Sequence, residues 1–333
     1  MFRKLLVMVM ILVLGISSVH ADSHGNMPEQ INFGIIPTES TTALEKSFRP
    51  FLESMEDFLG IPVKPFFASD YAGIIEAMRF DKVDIAWYGN KSAIEAVDRA
   101  GGEVFVQTIK DDGTRGYYSH LITYKGSGVD SLEDVLECDK TLTFSNGDPN
   151  STSGFAIPGY YVWAKNAITP EECFKRVTSS NHGGNAVAVA TEKVHVATNN
   201  NESLYRFSQQ KPELAKNIKV IWTSPIIPSD PIVWRKDLPE KLKEKVVYFF
   251  IQYGRYGSID KIERERKVLS QMSDGWGPFL ASSNAQLLDV RKIEAFKKKL
   301  KAENNNDKDA LREAEAEIKR LEKLNKIYGK SGY

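Results

Sequence analysis

The chain is sparing with the residues that most often carry chemistry. Only two cysteines, Cys138 and Cys173, and five histidines occur among its 333 residues. Two cysteines allow one bridge at most. No Cys/His cluster and no His-Glu-x-x-His run offers a metal site, and no Gly-x-Ser-x-Gly turn presents a nucleophilic serine. The phosphate loop of ATPases, Gly-x4-Gly-Lys-Ser/Thr, is missing as well. Neither a cofactor nor a metal is therefore expected, and enzymatic activity is not. An excess of one charge is lacking too: 44 basic residues meet 44 acidic ones, which leaves no footprint for nucleic acid.

Long hydrophobic runs are absent except at the start. "MFRKLLVMVMILVLGISSVHA" sets Arg3 and Lys4 before an apolar run of about a dozen residues, then ends on Val19-His20-Ala21. That is the layout of a secretory signal peptide, residues 1–21. A membrane anchor is the weaker alternative, because a span takes about 20 apolar residues. No cysteine follows the run, which argues against a lipid anchor. Cleavage is expected after Ala21. Losing Arg3 and Lys4 leaves 42 basic against 44 acidic residues, a net charge of −2. Export would make a Cys138–Cys173 disulfide chemically accessible.

What remains alternates strand and helix. "QINFGII" reads as a buried strand, and Phe48, Phe51, Leu52, Met55 and Leu59 follow at helical spacing up to Gly60. "VKPFFA" is a strand, "SDYAGIIEAMRF" a helix capped by Ser69 or Asp70, and "VDIAWYG" a strand again. This β-α-β-α-β succession implies a mainly parallel sheet covered by helices. "YSHLITYK", "TLTFSNG", the helix "FAIPGYYVWAKNA", "FKRVTSS", "NAVAVATEK" and "VHVATNN" repeat the plan, and "VIWTSPIIPSDPIVWRK" reads as a strand crossing back. The expected fold class is α/β in two lobes. Lobe 1 takes residues 28–122 and 226–290, lobe 2 takes 123–225, and a helical tail covers 291–333. The double crossover is expected near residues 120 to 125 and 222 to 228. Ligands of open α/β sheets collect at the carboxyl ends of strands, here a cleft between lobes. In the tail, Leu311, Ala314, Ile318, Leu321 and Tyr328 form one stripe. It suits a homodimer contact or packing on its own domain.

The cleft loops carry the chemistry. "SNGDPNSTSGF" has no basic residue, yet Ser151, Thr152 and Ser153 stand at a helix start, where unpaired N–H groups and the helix dipole hold anions. The same composition also suits an ordinary helix cap. His182, ahead of a second helix start, can add a ring N–H. Tyr71 and Tyr117 can donate phenol hydroxyls or simply pack. Two acids, Glu202 after "VATNNN" and Asp230 in "PIIPSDPIVWRK", look out of place beside an anion. They fit if the ligand is a zwitterion whose ammonium end they meet.

Five segments, "NFGIIPTES", "SDYAGIIEAMRFDKVDIAWYGNKSAIEAVDRA", "NGDPNSTSGFAIPGYYVWAKN", "VATNNNES" and "PSDPIVWRK", strongly resemble the periplasmic phosphonate-binding proteins of phosphonate ABC importers. The resemblance runs from about residue 30 to residue 290. It implies a type II periplasmic-binding fold that closes over its ligand, a periplasmic location, and a membrane permease with its ATPase as partners. It further implies that Tyr71, Tyr117, Ser151, Thr152, Ser153 and His182 hold a phosphonate, and that Glu202 and Asp230 grip the amino group of 2-aminoethylphosphonate. Receptors for phosphite, phosphate or simple alkylphosphonates stand as the alternative. A phosphoryl-transfer or hydrolytic enzyme built on Ser151, His182 and Asp230 is the more distant one.

Overall fold

The structure, a computed structural model, describes residues 27–272 and 275–328; the signal-peptide expectation lies outside them. Strands β1 (Ile31–Ile35), β2 (Val63–Phe66), β3 (Ile85–Trp87) and β4 (Gly102–Gln107) alternate with helices Thr41–Leu59, Tyr71–Arg79 and Asn90–Arg99. The chain then leaves through β5 (Gly116–Tyr117) and builds β6 (Ser119–Tyr124), β7 (Thr143–Asn146), β8 (Arg176–Ser179), β9 (Val196–Asn200) and β10 (Ile218–Thr223). It returns through β11 (Ile227–Pro228) to β12 (Pro231–Arg235) and β13 (Leu280–Ala281). The first sheet has the order β13-β4-β12-β3-β1-β2, the second β10-β6-β9-β7-β8. Antiparallel β12 separates β3 from β4 in one sheet, and antiparallel β6 closes the parallel set β9-β7-β8 in the other. Each lobe is thus a mixed α/β layer.

Strand β1 is buried on both faces, as a central parallel strand covered by helices must be. The apolar stripe of Thr41–Leu59 packs beneath it. Phe51 meets Phe249, Phe250, Tyr253 and Phe279 at ring distances of 5.4, 5.4, 5.2 and 5.6 Å. Burying one such ring is worth roughly 1.5–3 kcal/mol. Lobe 2 has its own core around Phe144, Trp163 and Phe174, and Cys138 is joined to Cys173 beside it.

Three local expectations need correction. The outgoing crossing comes earlier than residues 120–125, at β5, whereas the return at β11 lies within the expected 222–228; the two form a ribbon, Tyr117 opposite Ile227 and Gly116 opposite Pro228. All of β6 belongs to the second sheet, so a boundary at residue 122 would cut a strand that pairs with both β9 and β10. "VIWTSPIIPSDPIVWRK" is three strands and not one, because prolines 225 and 228 lack the N–H that a continuous ladder needs. The helix expected from Phe155 opens earlier, at Thr152, and is widened: Ala156 N–H donates to Ser151 O, five residues back, at 3.1 Å. Pro158 cannot donate to Gly154 O, which accepts instead from Gly147 N–H at 3.0 Å. Such widened turns are frequent at functional sites.

The tail folds back as a hairpin of helices Leu288–Asn304 and Lys308–Tyr328. Ala314, Ile318 and Leu321 of the predicted stripe are buried, the latter two packing with Leu288, Ala295 and Phe296. The middle of the stripe is covered within the chain, while Leu311 is half-buried and Tyr328 is exposed. The first helix touches both lobes: Arg291 grips Asp98 of lobe 1 at 2.7 and 2.6 Å, while Phe296 faces Tyr160 of lobe 2 at 6.3 Å.

Candidate functional site

Helix starts from both lobes converge on one small cavity of about 20 Å³. All eight sequence-predicted residues, Tyr71, Tyr117, Ser151, Thr152, Ser153, His182, Glu202 and Asp230, line it. Tyr71 and His182 are the first residues of their helices. Four of these starts are capped in the same way, by a short polar side chain accepting from the backbone three residues on: Asp70 from Gly73 at 2.8 Å, Ser151 from Gly154 at 3.0 Å, Asn181 from Gly184 at 2.8 Å and Asn200 from Ser203 at 2.7 Å. The fifth helix, Asn90–Arg99, begins at Gly89, which has no side chain to offer. Thr152 of the other lobe supplies the oxygen, accepting from Lys91 N–H at 2.8 Å. One lobe caps a helix of the other.

Inside the cavity, donors hold one another. Asn200 Oδ1 is fixed by its cap to Ser203, so its Nδ2 must be the group donating to Ser153 Oγ at 3.0 Å and to His182 Nε2 at 3.2 Å. His182 Nε2 is then an acceptor and the ring proton sits on Nδ1. Burial, and next the Arg206 charge, push His182 down to about 3; the ring is neutral at pH 7. Burial lifts Tyr71 and Tyr117 far above the ordinary phenol range, with nearby Asp148 and Asp230 adding to the first and Asp230 and Glu202 to the second. Both therefore keep their hydroxyl protons.

Asp230 is the exception among these donors. Its Oδ2 accepts from Trp87 Nε1 at 3.1 Å. The Tyr117 hydroxyl also stands beside the carboxyl. Burial lifts its pKa to about 7, opposed by Tyr117, Trp87 and Arg206. Its Oδ1, together with His182 Nδ1 and Thr38 Oγ1, is buried without a hydrogen-bond partner. Buried polar atoms are rarely left so. Three such atoms on residues lining one cavity, two able to donate and one a carboxylate oxygen, are a demand for a ligand with an acceptor end and a donor end.

The sequence did not reveal every lining residue. Thr38, Trp87, Gly89, Asn200 and Arg206 belong to the cavity wall. Arg206 adds a charged donor to the hydroxyl, phenol and imidazole donors named from the sequence. Its charge is engaged, since Nε lies 2.5 Å from Glu39 Oε1 of lobe 1. A signal was present: Arg206 follows Glu202 by four residues, one helical turn on the same face.

Comparison with known proteins decides the family. Residues 33–287 match the family model described as periplasmic substrate-binding protein of phosphonate ABC transporters. The chain belongs to this family. It is 49% identical to the phosphonates-binding periplasmic protein of Escherichia coli K12, covering 94% of this chain and 92% of that one. The crystal structure of a phosphonate ABC transporter binding protein from Pseudomonas aeruginosa superposes with a TM-score of 0.84 at 48% identity, over 91% of this chain and 99% of the other. PhnD1 of Prochlorococcus marinus, solved in complex with methylphosphonate, shares the fold with a TM-score of 0.69 at 19% identity, over 80% and 97% of the two chains. The type II periplasmic-binding fold and the role of phosphonate receptor for an ABC importer follow. Members of this family bind and deliver substrate, so the chain is a receptor and not an enzyme. Among the described residues no helix is long and apolar enough to cross a membrane.

Proposed function

We propose that the chain is exported through its N-terminal signal, captures 2-aminoethylphosphonate between its lobes and presents it to a membrane permease driven by an ATPase. The eight predicted residues are the ligand shell in this reading. Ser151, Thr152, Ser153, His182 Nδ1–H and the two phenols donate to the phosphonate oxygens at the helix starts. Glu202 and Asp230 receive the ammonium. One observation carries the choice of an aminated ligand: the unpartnered, buried Oδ1 of Asp230 in a cavity otherwise rich in donors. Beside a plain dianion an ionised Asp230 would only repel. Charge-assisted hydrogen bonds contribute about 1.5–3 kcal/mol each, enough in sum to offset ordering and desolvation and leave affinity in the micromolar to nanomolar range, about 8–12 kcal/mol.

A second reading has an observation of its own. With its pKa near 7, a protonated Asp230 could donate to a phosphoryl oxygen, which suits phosphate, phosphite or methylphosphonate. Titration calorimetry with 2-aminoethylphosphonate, methylphosphonate and phosphate separates the two. The amino reading expects 2-aminoethylphosphonate to bind at least tenfold tighter than the others, and Glu202→Ala to erase most of that preference. Equal affinities, or an equal loss for all three ligands in Glu202→Ala, would reject it.

A further inference from the structure

We propose that Glu39 and Arg206 form an interlobe latch that converts ligand capture into lobe closure, a role resting on the cleft being the phosphonate site. Glu39 lies in the lobe 1 loop between β1 and helix Thr41–Leu59, beside the helix cap Ser40. Arg206 lies on lobe 2 helix Asn201–Gln210, one turn beyond Glu202. The side chains of Arg206 and Glu39 are 12% and 10% exposed and meet at 2.5 Å. Around them the same loop is clasped by lobe 2: Gly183 N–H donates to Thr38 O at 3.1 Å, Asn181 Nδ2 to Glu39 O at 3.5 Å, and Gln210 Nε2 to Glu39 Oε2 at 3.4 Å.

Every one of these bonds joins residues of different lobes, so each breaks when the lobes part. Opening returns both charges to water, where an ion pair is worth little. Closing buries them together, where the attraction is less screened. On the lobe 2 side the clasp comes from two helices that also carry ligand-facing side chains: Asn181 and Gly183 flank His182 at the start of one, and Arg206 and Gln210 share the other with Glu202. A ligand that draws these helix starts toward lobe 1 brings Arg206 to Glu39 in the same movement. Closure energy of this kind is independent of which ligand is held. The latch should act on residence time, and Glu202 and Asp230 on selectivity.

The test uses full-length mature protein, with Glu39→Gln, Arg206→Gln and the double variant, each checked for wild-type folding by circular dichroism. Stopped-flow and calorimetry with 2-aminoethylphosphonate and with methylphosphonate read the effect. The latch predicts that each single variant raises the dissociation rate of both ligands tenfold or more with little change in association rate. It also predicts a double variant no worse than the weaker single, and a ligand-induced decrease in radius of gyration smaller than wild type. A change below threefold in Glu39→Gln overturns the latch. So does a loss in Arg206→Gln without one in Glu39→Gln, which would assign Arg206 to the ligand itself, and so does a loss confined to the aminated ligand. Failure of wild type to prefer 2-aminoethylphosphonate would instead strike the ligand assignment and leave the latch standing, since methylphosphonate reports it equally.

Discussion

At the scale of single residues, Asp230 and His182 pull against each other as pH changes. Asp230 is raised by burial from 3.8 to about 7, so the closed, folded form binds its proton more tightly than an opened or unfolded one. Its contribution is fully present below pH 3.8 and is lost as pH rises toward 7. His182 is lowered from 6.5 to about 3, burial first and Arg206 second. The folded form then prefers the neutral ring, and stability is lost as pH falls from 6.5 toward 3. Between about pH 4 and 6.5 the two slopes have opposite signs and offset each other, at up to about 1.4 kcal/mol per pH unit each. The closed protein should show an almost flat melting temperature from these two groups across that window. Removing one group unmasks the other: Asp230→Asn should lose stability as the solution is acidified, and His182→Gln should gain it. Thermal scans from pH 4 to 6.5 check this, and parallel profiles for the two variants would refute the assigned charge states.

At the scale of elements, the site is an assembly of caps, and this explains what could be read from the chain. Ser151, Asn181, Asn200 and Asp70 sit where a short polar residue before an amphipathic run signals a helix start. Tyr71, His182, Glu202 and the three hydroxyls lie within two residues of those caps, so the sequence could place all of them at the ends of elements. The contacts between lobes were not legible. Thr152 and Lys91 are 61 residues apart, and Arg206 and Glu39 are 167 apart; neither pair follows any local pattern. The outgoing crossing was placed a few residues late because the apolar pair Leu121–Ile122 marks β6, whereas the two-residue strand β5 carries no periodic signal of its own. Gly89 shows what the missing information is worth. Its φ of −76° suits any residue, so conformational freedom does not explain a glycine there. A Cβ would stand 3.0 Å from Thr152 Oγ1, pressing on the hydroxyl that caps Lys91 across the cleft. Gly89→Ala should leave the melting temperature of the ligand-free protein within a degree or two and weaken every phosphonate by about tenfold, because the crowding exists only in the closed arrangement. Calorimetry beside a thermal scan measures both. A variant with wild-type affinity would show that the Thr152 cap does not contribute to closure.

At the scale of the whole molecule, two lobes with separate cores share few covalent and packed links. The core of Phe33, Phe51 and Phe250 in lobe 1 and that of Phe144, Trp163 and Phe174 in lobe 2 have no residue in common. Between them stand the ribbon β5–β11, the cleft contacts and the tail helix Leu288–Asn304. Such a molecule unfolds as one unit only while these links outweigh the difference in stability between lobes. The Cys138–Cys173 bridge works on lobe 2 alone. It closes a separation of 35 residues, which in the chain-entropy account is worth roughly 3–4 kcal/mol. Replacing both cysteines by serine should therefore lower lobe 2 selectively and split the calorimetric unfolding of ligand-free protein into two transitions. A ligand held between the lobes binds only where both are folded. At one hundred times its dissociation constant it stabilises that state by about 2.7 kcal/mol, most of what the bridge supplied. Saturating 2-aminoethylphosphonate should move the lower transition upward toward the higher one and fuse them. Scanning calorimetry of the Cys138→Ser/Cys173→Ser protein with and without ligand decides the matter. If the lower transition stays in place while the upper one rises, the ligand is held by lobe 1 alone and the cleft between the lobes is not where it binds.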